Sequence, residues 1–390
     1  MSLNEPRLGT HFASRRERGI QGLPTLSVTI DRGLVLRDRL ERRTETNLSA
    51  EEHLRVRPSD IVYNMMRMWQ GASGLAEVDA LVSPAYVVLA PKKTIDPGFA
   101  SYLFKLPEMI HRFWAYSYGL TDDRLRLYFN DFKRIPWDVP PLVEQKKIAE
   151  ILSAWDKAIK TTEKLLANAE AQKRALMQHL LTGKRRLKGF EGSDWTNGIL
   201  GDIAEVVSGP AFPSEEFVKS GLRLLRGSNV KRGLVDWSDE ITVHWPDDVG
   251  YERYRLHAND IAVAMDGYVG RSHAFFVTDP KPEVLLVQRV ARLRTSKAAP
   301  HFLYAHICSD AFVRHCERRK TSTAISHITM NDIREFALSW PTLNEQKAIG
   351  AVLADASQAI EIARTQLRTL QDEKLALMQQ LLTGKRRVTI

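Results

Sequence analysis

The sequence predicts an α+β protein with pseudo-two-fold symmetry, in which two mixed α/β domains are joined by two long helices that form an antiparallel coiled coil. Three observations carry this. A stretch in the middle of the chain recurs at its C-terminus, each copy carries a heptad seam, and the regions upstream share a weaker repeat at nearly the same period. The expected boundaries are a first domain over 1–139, a first helix over 140–187, a second domain over 188–340 and a second helix over 341–390.

The repeat is the firmest of the three. Residues 140–187 align without a gap to 341–388, and 22 of the 48 positions are identical. These include Glu144/Glu345, Gln145/Gln346 and the closing run LLTGKRR at 180–186 and 381–387. Upstream, the run Arg55–Ile61 faces Arg255–Ile261, and Arg32-Gly33-Leu34-Val35 faces Arg232-Gly233-Leu234-Val235. The helices hardly differ, whereas the domains keep a frame and change in detail.

Within the first copy apolar residues step by four and three through Ile148, Leu152, Trp155, Ile159 and on to Leu180, which is a heptad pattern. The second copy repeats it through Ile349, Leu353, Ala356 and Ile360 to Leu381. A rod of roughly 38 residues would be about 57 Å long at 1.5 Å per residue. Pro140 and Pro341 precede first turns holding Glu144 and Glu345, where a carboxylate favours the helix dipole. Gly183 and Gly384 supply left-handed caps at the other end. A seam of this kind must be covered. The two helices pair with each other, or each packs on its own domain. The basic GKRR ends likewise have two readings, a solvated helix cap or a contact with DNA phosphates or an acidic partner.

In the second domain strands are expected to open at Leu200–Ile203 and to follow near Leu222–Leu225, Ile261–Ala264, Ala274–Val277 and Leu285–Leu293, with a helix from Phe302 to Cys316. In the first, strands are expected near Leu26–Ile30, Ile61–Asn64 and Tyr86–Leu89, with a helix from Pro97 to Trp114. The opening of the first domain is shorter, so an N-terminal element is expected to be reduced there.

The chain has 390 residues, a net charge of +9 and 26% charged residues, which fits a folded protein with a polyanionic partner. No stretch has the roughly 18 consecutive apolar residues of a membrane span, and no apolar leader opens the chain. With only Cys308 and Cys316, a disulfide framework is excluded and a reducing cytoplasm is expected. Side chains able to read base edges or hold phosphates gather where strands turn. The candidate DNA-binding residues in the first domain are Thr29, Arg32, Asn64, Arg67, Gln70, Arg124 and Arg126. In the second they are Arg226, Ser228, Asn229, Lys231, Tyr268, Arg271, Lys320, Thr321 and Ser322. Any one of them read alone is as well explained by solvated surface; three such loops in equivalent places of both halves favour the set. No glycine-rich cofactor loop, phosphate loop or GxSxG motif occurs. The EQK triplets begin helices rather than lying on paired strands, and His301, His306, Cys308, His315 and Cys316 match no metal template. No catalytic residue and no metal site is expected.

The duplicated helix entry at Pro140–Leu152 and Pro341–Leu353, the LLTGKRR ends, and the course Leu200–Ile203, Ser208-Gly209, Gly227–Asn229 and Asp260-Ile261 resemble the specificity subunits of Type I restriction-modification enzymes. The resemblance spans nearly the whole chain. It implies two target recognition domains reading the halves of a bipartite, asymmetric site in double-stranded DNA, with the helices setting the spacer. It also implies that two modification (methyltransferase) subunits dock on the helices, through Glu144, Gln145, Trp155, Glu345 and Gln346, and that restriction (translocase/endonuclease) subunits join them. S-adenosylmethionine, Mg2+ and ATP would be held by those partners, with no membrane association and no catalysis by this chain. The alternatives are a DNA-binding nuclease or methyltransferase with an unrecognised centre, or a coiled-coil assembly protein with no DNA role.

Overall fold

A computed structural model describes residues 6–40, 48–121, 124–231, 233–266, 274–321 and 327–388. The chain forms two units. One comprises Met1–Glu163 with Thr365–Ile390, the other Lys164–Arg364.

The first unit is built on a four-stranded antiparallel sheet of β1 (Phe12–Arg15), β2 (Ile61–Asn64), β3 (Ser73–Leu75) and β4 (Tyr86–Pro91), in the order β1-β4-β2-β3. The second repeats it with β5 (Glu205–Ser208), β6 (Ile261–Ala264), β7 (Ala274–Phe276) and β8 (Val290–Arg294), in the order β5-β8-β6-β7. The central strands β2 and β6 are buried almost throughout, as their Ile-Val-Tyr and Ile-Ala-Val-Ala runs require. Each enters from a tight turn in which a non-glycine residue, Ser59 or Asn259, takes a positive φ of 78° or 70°. A buried aspartate holds that turn. Asp60 accepts from the amide of Arg57 at 2.9 Å and from Arg15 Nε at 2.8 Å; Asp260 accepts from the amide of His257 and from Arg294 Nε, both at 2.7 Å. The Arg-x-x-x-x-Asp-Ile match between the halves is therefore the imprint of a structural turn.

The expected single helices are each two. Pro97–Leu103 and Pro107–Ala115 are separated by a turn that admits Pro107, and Pro300–Ile307 and Asp310–Arg319 by one in which Ser309 caps the second helix, accepting from the amide of Phe312. Leu200–Ile203 is one helical turn and not a strand, because Asp202 accepts from the amide of Ile199 and caps it. The strand lies just before, at Thr196–Ile199, paired with Ala337–Trp340. Among the described residues the first unit has an isolated bridge, Arg7 to Pro136, at the equivalent place. The expected strand over Leu285–Leu293 is broken around Arg289, whose φ is +69°.

Both long helices contain 39 residues, Leu142–Leu180 and Leu343–Leu381. In the first unit Ile148 and Leu152 from the start of one share a core with Leu381 and Leu382 from the end of the other. In the second, Leu180 and Leu181 share a core with Ile349 and Leu353. Start against end in both units is antiparallel pairing. Those cores also contain the domains' own Phe99, Phe104 and Phe132, or Phe302 and Ala305. The two ways of covering the seam are thus realised together: the helices pair, and each paired end is plugged into a domain.

Candidate nucleic-acid interface

In the first unit three polar loops are tied together by main-chain and lysine bonds. Thr29 closes the hairpin between Leu26–Val28 and Leu34–Leu36, donating to the carbonyl of Gly33 at 3.0 Å and accepting from the amide of Arg32 at 3.1 Å. Lys105 donates to the carbonyl of Ile30 in that hairpin at 2.9 Å and to that of Gly71 in the loop after β2 at 2.7 Å. Burial pulls its ammonium pKa down, with Asp31 opposing. The third loop is a hairpin closed by reciprocal bonds between Tyr118 and Arg126, and Leu127 donates to the carbonyl of Met65 at 3.0 Å, pinning it beside the loop after β2. The second unit repeats this pin, from Ile328 to the carbonyl of Met265 at 2.9 Å, and ties its first loop to β7 through Gly233 and the carbonyl of Ala274 at 2.8 Å.

The candidate residues divide on this scaffold. Arg32, Arg67, Arg124, Arg126, Ser228, Lys231 and Lys320 are exposed, Arg67 with Nη1 donating to the half-buried Gln70 at 3.0 Å and Lys320 ion-paired with Glu317 at 2.5 Å. Others are spent on the loops themselves. Asn64 accepts from the amide of Met66 at 3.0 Å, a turn-forming bond. Asn229 is wholly buried, accepting from the amide of Arg226 at 3.1 Å and donating to the carbonyl of Asp236 at 2.9 Å. It shapes its loop and cannot face a base, which corrects the expectation. Arg226 is half-buried and donates to the carbonyl of Ile241, and the Thr321 hydroxyl meets His327 Nδ1 at 3.0 Å. Tyr268, Arg271 and Ser322, with Asp122, Asp123 and Arg232, lie outside the described residues. Lys105 and the Met65 and Met265 carbonyls were missed by the sequence, since a lysine in the turn between two helices and a main-chain acceptor carry no motif.

The residues expected to dock partners are largely turned inward. Glu144 accepts both Arg387 Nε at 2.8 Å and Nη2 at 2.6 Å; Glu345 accepts Arg186 Nε and Nη2, both at 2.6 Å. The Arg387 hydrogen bond holds the Glu144 carboxyl below its ordinary pKa. The GKRR end of each helix therefore clasps the start of the other, a role neither reading of those tails included. Gln145 accepts from the amide of Asp96 and donates to the carbonyls of Thr94 and Pro140; Gln346 accepts from the amide of Ala299 and donates to the carbonyl of Pro341. All four side chains are buried, while Trp155 is half-buried on its helix.

Among the described residues no group of three or more His, Cys, Asp or Glu could hold a metal ion, and no helix is long and apolar enough to cross a membrane. Burial pushes His306 down to about 3 and Cys316 up to about 12, as core groups behave.

Two copies of one sheet scaffold, each with a late loop pinned to the methionine carbonyl after its central strand, on helices whose starts and ends clasp, define a duplicated recognition protein. The sequence profile described as "Type I restriction modification DNA specificity domain" matches residues 55–171 and 192–372, and the chain belongs to that family. It is 27% identical over 361 residues to the Type I restriction enzyme MjaVIII specificity subunit of Methanocaldococcus jannaschii, covering 87% of this chain and 83% of that protein. It is 29% identical over 194 residues to the EcoAI specificity subunit of Escherichia coli, covering 48% of this chain and 32% of that protein. The fold is similar to the crystal structure of a Type I restriction-modification S subunit from M. genitalium, with a TM-score of 0.62, 16% identity and 98% of each chain covered.

Proposed function

We propose that this chain is the DNA-specificity subunit of a Type I restriction-modification complex, with each unit's loop cluster reading one half of a bipartite, asymmetric site. The observation that carries this is the recurrence of one sheet order with the same loop pin, Leu127 to Met65 and Ile328 to Met265, under side chains that differ between the copies. Constant scaffold and variable loops are what two different half-sites demand. Arg67, Arg124 and Arg126 in the first unit, and Ser228, Lys231 and Lys320 in the second, are free of the core and suited to bases and phosphates. Arg32, Gln70, Tyr268, Arg271 and Ser322 complete the proposed set.

The chemistry belongs to partners in this account. Two methyltransferase subunits would dock on the outer faces of the long helices and supply S-adenosylmethionine and base extrusion. Restriction subunits would bring ATP and Mg2+, and the complex would act in the cytoplasm beside its DNA. The test is the salt dependence of binding to duplex carrying the site, together with sequencing of methylated bases in cells holding the system. A steep negative slope of log affinity against log salt is expected. A slope near zero, or turnover of DNA by this chain alone, would overturn the function.

A further inference from the structure

Two loops of the first unit carry candidate reading residues, and each is stiff in itself. The turn with Thr29 and Arg32 is closed by the Thr29 amide, which donates to the Gly33 carbonyl at 2.8 Å, and by both bonds of the Thr29 hydroxyl. The loop with Arg67 and Gln70 is closed by the amides of Gln70 and Ala72, which donate to the Arg67 carbonyl at 3.0 and 3.1 Å, over a wholly buried Met68. What remains to be fixed is where one loop stands relative to the other. Lys105 lies in the turn between two helices, with wholly buried Phe104 and Leu106 on either side, so its backbone is anchored in the core. From there its ammonium donates to the carbonyl of Ile30 in the hairpin turn, at 2.9 Å, and to that of Gly71 in the other loop, at 2.7 Å. The joint is close. An added Cβ on Gly74, in β3, would stand 2.4 Å from the amide nitrogen of Leu34 and 3.0 Å from Gly33 Cα, so the hairpin rests directly on that strand.

We infer that Lys105 is a specificity-determining positioning residue, which fixes the spacing of the two reading loops of the first unit without itself touching DNA; this rests on the DNA-reading function proposed above. Bidentate contacts to base edges require side chains at set positions along the groove. Arg32 and Arg67 stand on separate stiff loops, so a shift at the joint moves one against the other as whole bodies. A charged donor suits this task, because its hydrogen bonds to carbonyls are stronger than neutral ones and one ammonium can hold two acceptors. The second unit joins its loops by other means. Counting from the prolines that open the paired helices, Pro97 and Pro300, Cys308 stands in the place of Lys105. A thiol has a single weak donor and cannot bridge two carbonyls. There the Gly233 amide donates to the Ala274 carbonyl at 2.8 Å, and main chain ties the first loop to β7. The lysine therefore acts on one half-site.

The test uses the full chain in complex with its methyltransferase subunits, and the site found by sequencing methylated bases. Competition binding is measured with duplexes carrying single base-pair changes in either half-site. Lys105→Met keeps the apolar stem and removes the ammonium. It is expected to lower discrimination in the first half-site by about tenfold, within what one bidentate base contact supplies. Discrimination in the second half-site and the salt slope stay as in wild type. Lys105→Arg, which can still donate to both carbonyls, keeps most of the discrimination. Gly74→Ala disturbs the joint where the hairpin rests on β3 and is expected to give the same one-sided loss. Lys92→Met, which removes a comparable bond from an ammonium to the Gly9 carbonyl at 2.9 Å, changes neither half-site. Unchanged discrimination in Lys105→Met, or in Gly74→Ala where Lys105→Met does not fold, overturns the proposal. So does an equal loss in both halves, which marks general destabilisation, or a salt slope reduced by about 1, which marks a phosphate contact. A wild-type complex with no sequence preference would instead sink the function on which the proposal rests.

Discussion

Replacing Arg186 with alanine isolates the clasp of the second unit. Glu345 is fully buried, and its two oxygens accept Arg186 Nε and Nη2 at 2.6 Å each. Arg186 Nη1 also donates to the carbonyl of Ser193 at 2.8 Å, and the guanidinium lies 5.6 Å from the Trp195 ring centre. Removing one member of a buried pair leaves an uncompensated charge and costs about 3–5 kcal/mol. The Arg186 side chain is 18% exposed, so water relieves part of this and the lower end, about 3 kcal/mol, is appropriate. For a unit of roughly 200 residues that lowers the melting midpoint by about 6–12 °C. Local opening at 346–353 would rise roughly a hundredfold, read as loss of amide protection by hydrogen exchange. The pairing itself, rather than packing, is tested by Arg186→Ala combined with Glu345→Leu, which removes both charges and should recover most of the loss. A shift under about 2 °C for the single variant, taking the same scale of stability to melting, would mean that the clasp does not hold the unit together. A double variant as unstable as the single would point to packing rather than pairing.

In the first unit the clasp is pH-sensitive. Arg387 holds the folded Glu144 carboxyl below its ordinary value of 4.5, so its contribution is complete above that value and disappears as pH falls through the lowered one. Acid titration of stability should show that loss, and Glu144→Gln should flatten it. Asn229→Ala strips a buried side chain of two bonds and should cost about 2 kcal/mol and impair reading of the second half-site, whereas exposed Ser228→Ala should change stability by less than about 0.5 kcal/mol; chemical denaturation separates them. Arg67→Ala should weaken binding to variants of the first half-site and leave discrimination in the second unchanged, as read by competition binding.

Much of the frame was legible because it repeats. The 22 identities, the heptad steps and the left-handed caps at Gly183 and Gly384 follow from what a long paired helix demands of its side chains. Strand positions at Ile61–Asn64 and Ile261–Ala264 were readable from apolar runs. The clasps were not. Glu144 and Arg387 lie 243 residues apart, and no local pattern says that a helix-start acid meets the other helix's tail. The family resemblance implied docking through Glu144, Gln145, Glu345 and Gln346, and the structure has all four side chains buried. The division of loop residues was hidden for a similar reason: Asn229 and Ser228 are neighbours of similar polarity, and only the course of the chain at Asp236 decides which one is enclosed.

If each unit reads its own half-site, exchanging one domain should change only that half. Residues 188–340 are replaced by the corresponding domain of a relative, the complex is assembled with its methyltransferase subunits, and methylated bases are sequenced. A hybrid target is expected, with the first half-site retained and the second taken from the donor. An unchanged target, or one altered in both halves, would contradict it.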